Sequence, residues 1–240
     1  MAASILMAVS ASVAAPADAP LTADDIWQRS LSAYEGLTSY ADTGVVLVEA
    51  PSISESHSFT TRYGTPRSLY FDFVKNEEVD RYVIWSDEEA FHTWWQTTGV
   101  EDEYPRGSGI GAFAQADYLT NGSAMKLLPL IFAKSGLQGA LTNFRDFALD
   151  GTEKIGGHDC YRLAGRTSDV YTATGREVNI RKVTVWIDSE TLLIRKVFED
   201  TPKGTPPALF MHTTTTFEPQ LNPALQDDAF AFEAPAINEP

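Results

Sequence analysis

The chain has 240 residues, of which 43% are hydrophobic and 11% aromatic, ample for a large core and unlike a disordered or collagen-like composition. Its formal charge of −15 excludes a phosphate-tracking nucleic-acid binder, which needs clustered Lys and Arg. The same charge disfavours stable residence on an anionic membrane, while a basic partner stays open.

Residues 1–17 are apolar, too short to span a bilayer, and end in small residues around Ser12-Val13-Ala14 or Ala15-Pro16-Ala17. This is the pattern of a secretory signal peptide. Basic residues do not precede the apolar stretch, which leaves an upstream start or an uncleaved tail as alternatives. Cys160, the lone cysteine, cannot form an internal disulfide, and no cysteine follows the signal-like stretch to accept a lipid anchor. The expectation is an exported, soluble protein whose residues 18–240 form a single domain. No other stretch is long and apolar enough for a transmembrane helix.

Thr22 opens a helix: it can cap the first turn, Asp24 and Asp25 suit the positive helix end, and Leu21 can staple against Ile26. Ile26, Ser30, Leu31 and Tyr34 recur at helical spacing, to about Gly36. From Thr43 the period becomes two. Strands are expected at 43–49, 56–63, 69–74, 80–85 and 89–96, with connections short enough for antiparallel neighbours. Leu69, Phe71 and Phe73 share one face while Asp72 points the other way, so the sheet has one apolar side.

The rhythm then breaks. Glu101-Asp102-Glu103 and the glycines up to Gly111 read as a solvated, polar loop. Residues 112–119 and 123–134 have helical composition, with Asn121-Gly122 between them and Pro129 kinking or restarting the second helix. Strands resume at 144–154 and 160–167 around the paired glycines Gly156 and Gly157, then at 177–187, 192–200 and 211–218. The count is about ten strands, a mainly β (α+β) chain with an N-terminal helix and an apolar helical insert, without an internal repeat.

No residue pattern carries chemistry. His57, His92, His158 and His212 are scattered without metal-ligand spacing, so no metal or other cofactor is expected. His158 and Cys160 can share a strand face, but Asp159 then cannot orient the imidazole, and a packed thiol beside a turn is the simpler reading. Gly107-Ser108-Gly109 and Asn121-Gly122-Ser123 lack the strand and helix of a nucleophile elbow. Carboxylates are too numerous to single out an acid/base pair, and an enzyme is not expected.

The order of elements, together with Phe59-Thr-Thr-Arg-Tyr-Gly-Thr-Pro-Arg-Ser-Leu-Tyr-Phe-Asp-Phe, Tyr82-Val-Ile-Trp-Ser-Asp, Val185-Trp-Ile-Asp-Ser-Glu-Thr-Leu-Leu-Ile-Arg-Lys and the closing Ala229-Phe-Ala-Phe-Glu-Ala-Pro, resembles a known family. The chain looks like the bacterial periplasmic lipoprotein carriers typified by LolA, and more closely their LolA-like relatives, from about Thr22 to Pro235. The resemblance implies a half-open antiparallel β-barrel around an apolar cavity with helices as a lid over its mouth, here residues 112–134. It also implies an early-strand arginine that controls the lid, for which Arg62 and Arg67 are the candidates. The Pro66-Arg67 order departs from the Arg-Pro of the typical carriers.

Candidate lining residues alternate along the strands: Phe71, Phe73, Ile84, Phe91 and Trp95, then Val183, Val185 and Ile187, with Phe113, Leu127, Ile131 and Phe132 closing from the lid. Their bland reading is the core of a filled barrel. The expected function is a periplasmic carrier or chaperone for lipid or the acyl chains of lipoproteins, handed over by a membrane-bound donor or acceptor protein. The alternative is a lipid- or lipoprotein-sensing domain acting through a protein partner.

Overall fold

The structure is a computed structural model and describes residues 21–65, 68–76, 80–87, 89–105, 110–120, 122, 126–132, 137–171, 176–200 and 211–235. The signal-like segment and Arg67 lie outside these residues. Helix α1 spans Ala23–Glu35 and starts as the sequence predicts. Asp25 donates its backbone N–H to Thr22 Oγ1 at 3.1 Å, and the Asp25 carboxylate accepts from Thr22 N at 3.0 Å, a reciprocal cap.

Six strands follow: β1 Ser39–Ala50, β2 Ile53–Gly64, β3 Ser68–Lys75, β4 Asp80–Ser86, β5 Ala90–Trp95 and β6 Val100–Pro105. Helices α2 (Ile110–Leu119) and α3 (Leu128–Ile131) come next, then β7 Arg145–Ile155, β8 His158–Tyr171, β9 Arg176–Asp188, β10 Ile194–Asp200, β11 His212–Phe217 and the short β12 Gln220–Leu221. All join one antiparallel sheet ordered β6-β5-β4-β3-β2-β1-β11-β10-β9-β8-β7, with β12 paired to β1. The two edges, β6 and β7, are not paired to each other among the described residues, so the sheet is open.

Two expectations need correction. Glu101, Asp102 and Glu103 form not a loop but the edge strand β6, in register with Trp94, Thr93 and His92. Gly99, at φ 64°, turns the chain back from β5. Only Tyr104 of this largely polar edge strand packs against the core, so it carries no apolar alternation, which hid it. In the second insert helix only a single turn, Leu128–Ile131, is helical among the described residues, and Pro129 sits at its start, where its missing N–H is tolerated. The β7–β8 hairpin turns through Gly156 and Gly157, at φ 57° and 89°, as their pairing suggested.

One buried cluster runs from Phe91 on β5 through Phe71, Phe59, Val46, Val197 and Val185 to Leu163 on β8, and includes Ile26, Trp27 and Tyr34 of α1, Phe113 of α2 and Leu128, Leu130 and Ile131 of α3. Strands lie about 4.8 Å apart, so a flat sheet would hold β5 and β8 far beyond side-chain reach. The sheet therefore curls around its helices. The approach is close at Gly165 on β8, where a Cβ would lie 2.6 Å from Phe147 Cβ and 2.8 Å from the Arg145 carbonyl. Gly165→Ala should accordingly lower the free energy of unfolding by about 1–3 kcal/mol with the urea m-value unchanged; an unshifted urea midpoint would show that this crowding is relieved elsewhere.

Candidate functional site: the inner face and its helical cover

Pleating gives the sheet two faces of different character. On β2, His57, Phe59, Thr61 and Tyr63 point inward and are buried, while Ser58, Thr60 and Arg62 point out. Phe71, Phe73, Ile84, Phe91, Phe113, Leu127, Ile131, Phe132, Val183, Val185 and Ile187 all lie in the single inner cluster. Trp95 lies half-buried at its border, its indole N–H donating to Asp80 Oδ2 at 2.7 Å.

The helical insert fills this face. Phe113 meets Phe91 edge-on at 5.3 Å and Phe132 at 5.4 Å, and Phe132 meets Tyr63 edge-on at 5.2 Å. At the other side, Trp27 of α1 packs on Phe144 at 5.1 Å. Tyr34 accepts the Ile194 backbone N–H at 3.0 Å, which pins α1 to β10.

The inner face also holds polar groups that sequence reading did not single out. Asp42, next to Tyr40 and Thr61, is only 3% exposed; Tyr40 donates to its Oδ2 at 2.8 Å, and Oδ1 has no hydrogen-bond partner among the described residues. Burial pushes its pKa up to about 6 against the opposing effect of Thr61 and Tyr40. At the far end of the same face, Lys126 from the insert forms a buried ion pair with Glu199 of β10. Parity along β1 and β10 was the available signal, since Asp42 and Glu199 fall on the apolar face.

On the outer face, Tyr70, Val83 and Trp94 form a second buried cluster beneath Phe230, Phe232 and Ala234 of the C-terminal segment. Arg62 belongs here. It donates to the Ala229 carbonyl at 3.1 Å and lies 5.0 Å over the Tyr70 ring. Its position on the outward parity of β2 ties down the C-terminal segment, and its described partners are not in α2 or α3, contrary to the lid-control expectation. Arg81 supports the same seam, with a two-pronged contact to Asp72 at 2.8 and 2.7 Å and its guanidinium 5.4 Å over Phe232.

His158 and Cys160 do not pair through their side chains. The buried thiol donates to the His158 carbonyl at 3.6 Å, and burial pushes its pKa up to about 11, away from thiolate chemistry. The imidazole instead meets Asp188 at 3.1 Å and Arg195 at 3.2 Å, beside the turn that Asp188 organises. Among the described residues no group of three or more His, Cys, Asp or Glu is placed to hold a metal ion, and no helix is long and apolar enough to cross a membrane.

No protein-family model matches the sequence, and no curated protein matches it. Solved structures similar to it include the lipoprotein LppX of Mycobacterium tuberculosis, at 14% identity over 85% of this chain and 98% of that one, with a TM-score of 0.46. A LolA superfamily protein from Nitrosomonas europaea is 10% identical over 89% and 99% of the two chains, with a TM-score of 0.38. MucB, in its complex with MucA from Pseudomonas aeruginosa, is 15% identical over 88% of this chain and 60% of its own, with a TM-score of 0.44.

Asp42 gives the inner face a pH signature. Its folded pKa lies above the ordinary 3.8, so the folded state holds the extra proton. The associated stability is fully present below about pH 4 and is lost as pH rises through 6, in total about 3 kcal/mol. Asp42→Asn keeps an acceptor for Tyr40 and should match the parent near pH 4 but exceed it by about 2–3 kcal/mol at pH 7.5 in urea unfolding. Equal differences at both pH values would mean that Asp42 carries no such shift.

Proposed function

We propose that the protein is an exported, periplasmic carrier for lipid or for the acyl chains of lipidated proteins, with the curled sheet as the binding wall and α2, Lys126, Leu127 and α3 as an exchangeable cover. The observation that carries this reading is the balance between cover and cargo. Leu127, Leu128, Leu130, Ile131 and Phe132 are all buried against the inner face. Each such side chain contributes roughly 1.5–3 kcal/mol on burial, so this stretch contributes on the order of 10 kcal/mol.

An acyl chain of about fourteen methylenes, at about 0.8 kcal/mol each, gains a similar amount on leaving water. Replacing one by the other on the same wall is close to neutral, which is what a carrier needs in order both to load and to release. A four-residue helix also has no stability of its own in water, so α3 keeps its shape only while packed. Phe71, Phe73, Ile84, Val183, Val185 and Ile187 are proposed as the wall that the cargo touches, with Phe91 and Trp95 at its border. Phe113, Leu127, Ile131 and Phe132 are the groups it displaces. A membrane-bound donor or acceptor would complete the cycle, the acidic surface limiting residence on anionic lipid.

The test is the affinity for a fluorescent fatty-acid probe, with native mass spectrometry of the protein as purified from periplasm. Phe113→Ala with Phe132→Ala loosens the cover while sparing the strand walls, and it should bind the probe about tenfold or more tightly than the parent. Failure of both proteins to bind the probe or to retain acyl material would overturn the carrier reading in favour of a permanently filled core that works through protein contacts.

A further inference from the structure

The wall beneath the cover is not uniformly apolar, and its polar end has a definite chemistry. Lys126 lies two residues before α3 and is 3% exposed; its ammonium group pairs with the Glu199 carboxylate, 8% exposed. In the sheet register Glu199 stands directly opposite Thr213, and Val197, two residues back on the same face, stands opposite Thr215. Burial alone would push the Glu199 carboxyl up, but the Lys126 and Arg181 charges outweigh it and hold the group below the ordinary carboxylate range. Two buried atoms on this part of the inner face have no hydrogen-bond partner among the described residues: Glu199 Oε1 and Thr215 Oγ1, the latter on a fully buried residue.

A buried carboxylate and a buried hydroxyl with spare acceptor positions specify the partner they call for: a donor, and for the carboxylate a cation. At present a side chain of the cover supplies it. On the carrier reading, on which this inference rests, the departure of α3 takes Lys126 with it and leaves Glu199 without its hydrogen-bonded cation, with only the charge of Arg181 in its place, an outcome that a purely hydrocarbon cargo does nothing to relieve.

We propose that the buried Glu199 carboxylate, with the Thr215 hydroxyl on the same face, is a binding site for a protonated amine of the cargo, with Lys126 as its internal stand-in. An amphiphile that carries an ammonium group beside its alkyl chain replaces both halves of the cover at once, the apolar side chains of α3 and the charge of Lys126. An anionic headgroup would instead face the Glu199 carboxylate. The site therefore sets specificity within the class of apolar ligands that the wall admits.

Competition against a fluorescent fatty-acid probe at pH 7, with dodecylammonium, dodecanol and dodecanoate each below its micelle concentration, tests this on the full chain. Dodecylammonium should displace the probe about tenfold or more effectively than dodecanol. Glu199→Gln should bring the two within about twofold of each other, whereas Lys126→Met should strengthen dodecylammonium binding by removing the internal competitor. The double variant Lys126→Met, Glu199→Gln leaves no unpaired buried charge and should stay folded and lose the preference, which separates site loss from misfolding. Equal affinities for the three amphiphiles, a preference for dodecanoate, or an amine preference that survives Glu199→Gln and so reflects the acidic surface would each overturn the site while leaving the carrier reading intact. Absence of binding by all three would overturn both.

Discussion

The structure depends on one unmet requirement: an open antiparallel sheet with an apolar inner face cannot cover that face by itself. A closed barrel of this strand number would either fill with its own side chains or enclose a lumen. Here β6 and β7 stay apart among the described residues, and the core is completed by elements from outside the sheet. The helix α1 does this durably, since it is capped at Thr22 and bonded to β10 through Tyr34. The insert does it by apolar contact, by the Lys126–Glu199 ion pair and by hydrogen bonds such as that from Tyr104 to Gln115, and its second helix is a single turn. The two covers differ in how strongly they are held, and the weaker one lies over the face best suited to hydrocarbon.

The outer face supports the same division of labour. Arg62, Arg81 and the C-terminal aromatics Phe230 and Phe232 clamp the β2–β5 half of the sheet from behind, so its curvature does not rely on the insert. A wall that is braced on its outer side can lose its inner cover without unrolling. This brace also accounts for the terminal Phe-x-Phe pattern, which is a packing device for Tyr70, Val83 and Trp94.

Much of this was legible in the residues, for identifiable reasons. Capping chemistry at Thr22, paired glycines at the β7–β8 turn and strict alternation along Leu69–Phe73 are local signals, and each led to the right element. The apolar wall was legible because alternation fixes parity, and parity fixes the face. What escaped depends on contacts distant in sequence. Strand β6 sets Tyr104 against the core and is otherwise mostly polar, and it exists through its register with β5. Arg62 was assigned to the lid by analogy, although its odd position among the inward residues Thr61 and Tyr63 already placed it outside.

The buried charges escaped for a different reason, which bears on how the site works. Asp42 and Glu199 sit on the apolar parity of their strands, where a pattern search reads a charged residue as a break in the strand. In a folded interior such residues are retained against a desolvation penalty of several kcal/mol per ion, and hydrophobic replacements are often at least as stable. Glu199 is matched by a cation from the helical insert, while Asp42, with no ion partner among the described residues, has its pKa pushed up to about 6 by burial. The first arrangement couples the position of the insert to a charge that must be satisfied; the second couples nothing and only raises the pKa of one group. Of these two buried carboxylates on the inner face, Glu199 is therefore the one whose partner belongs to the helical insert.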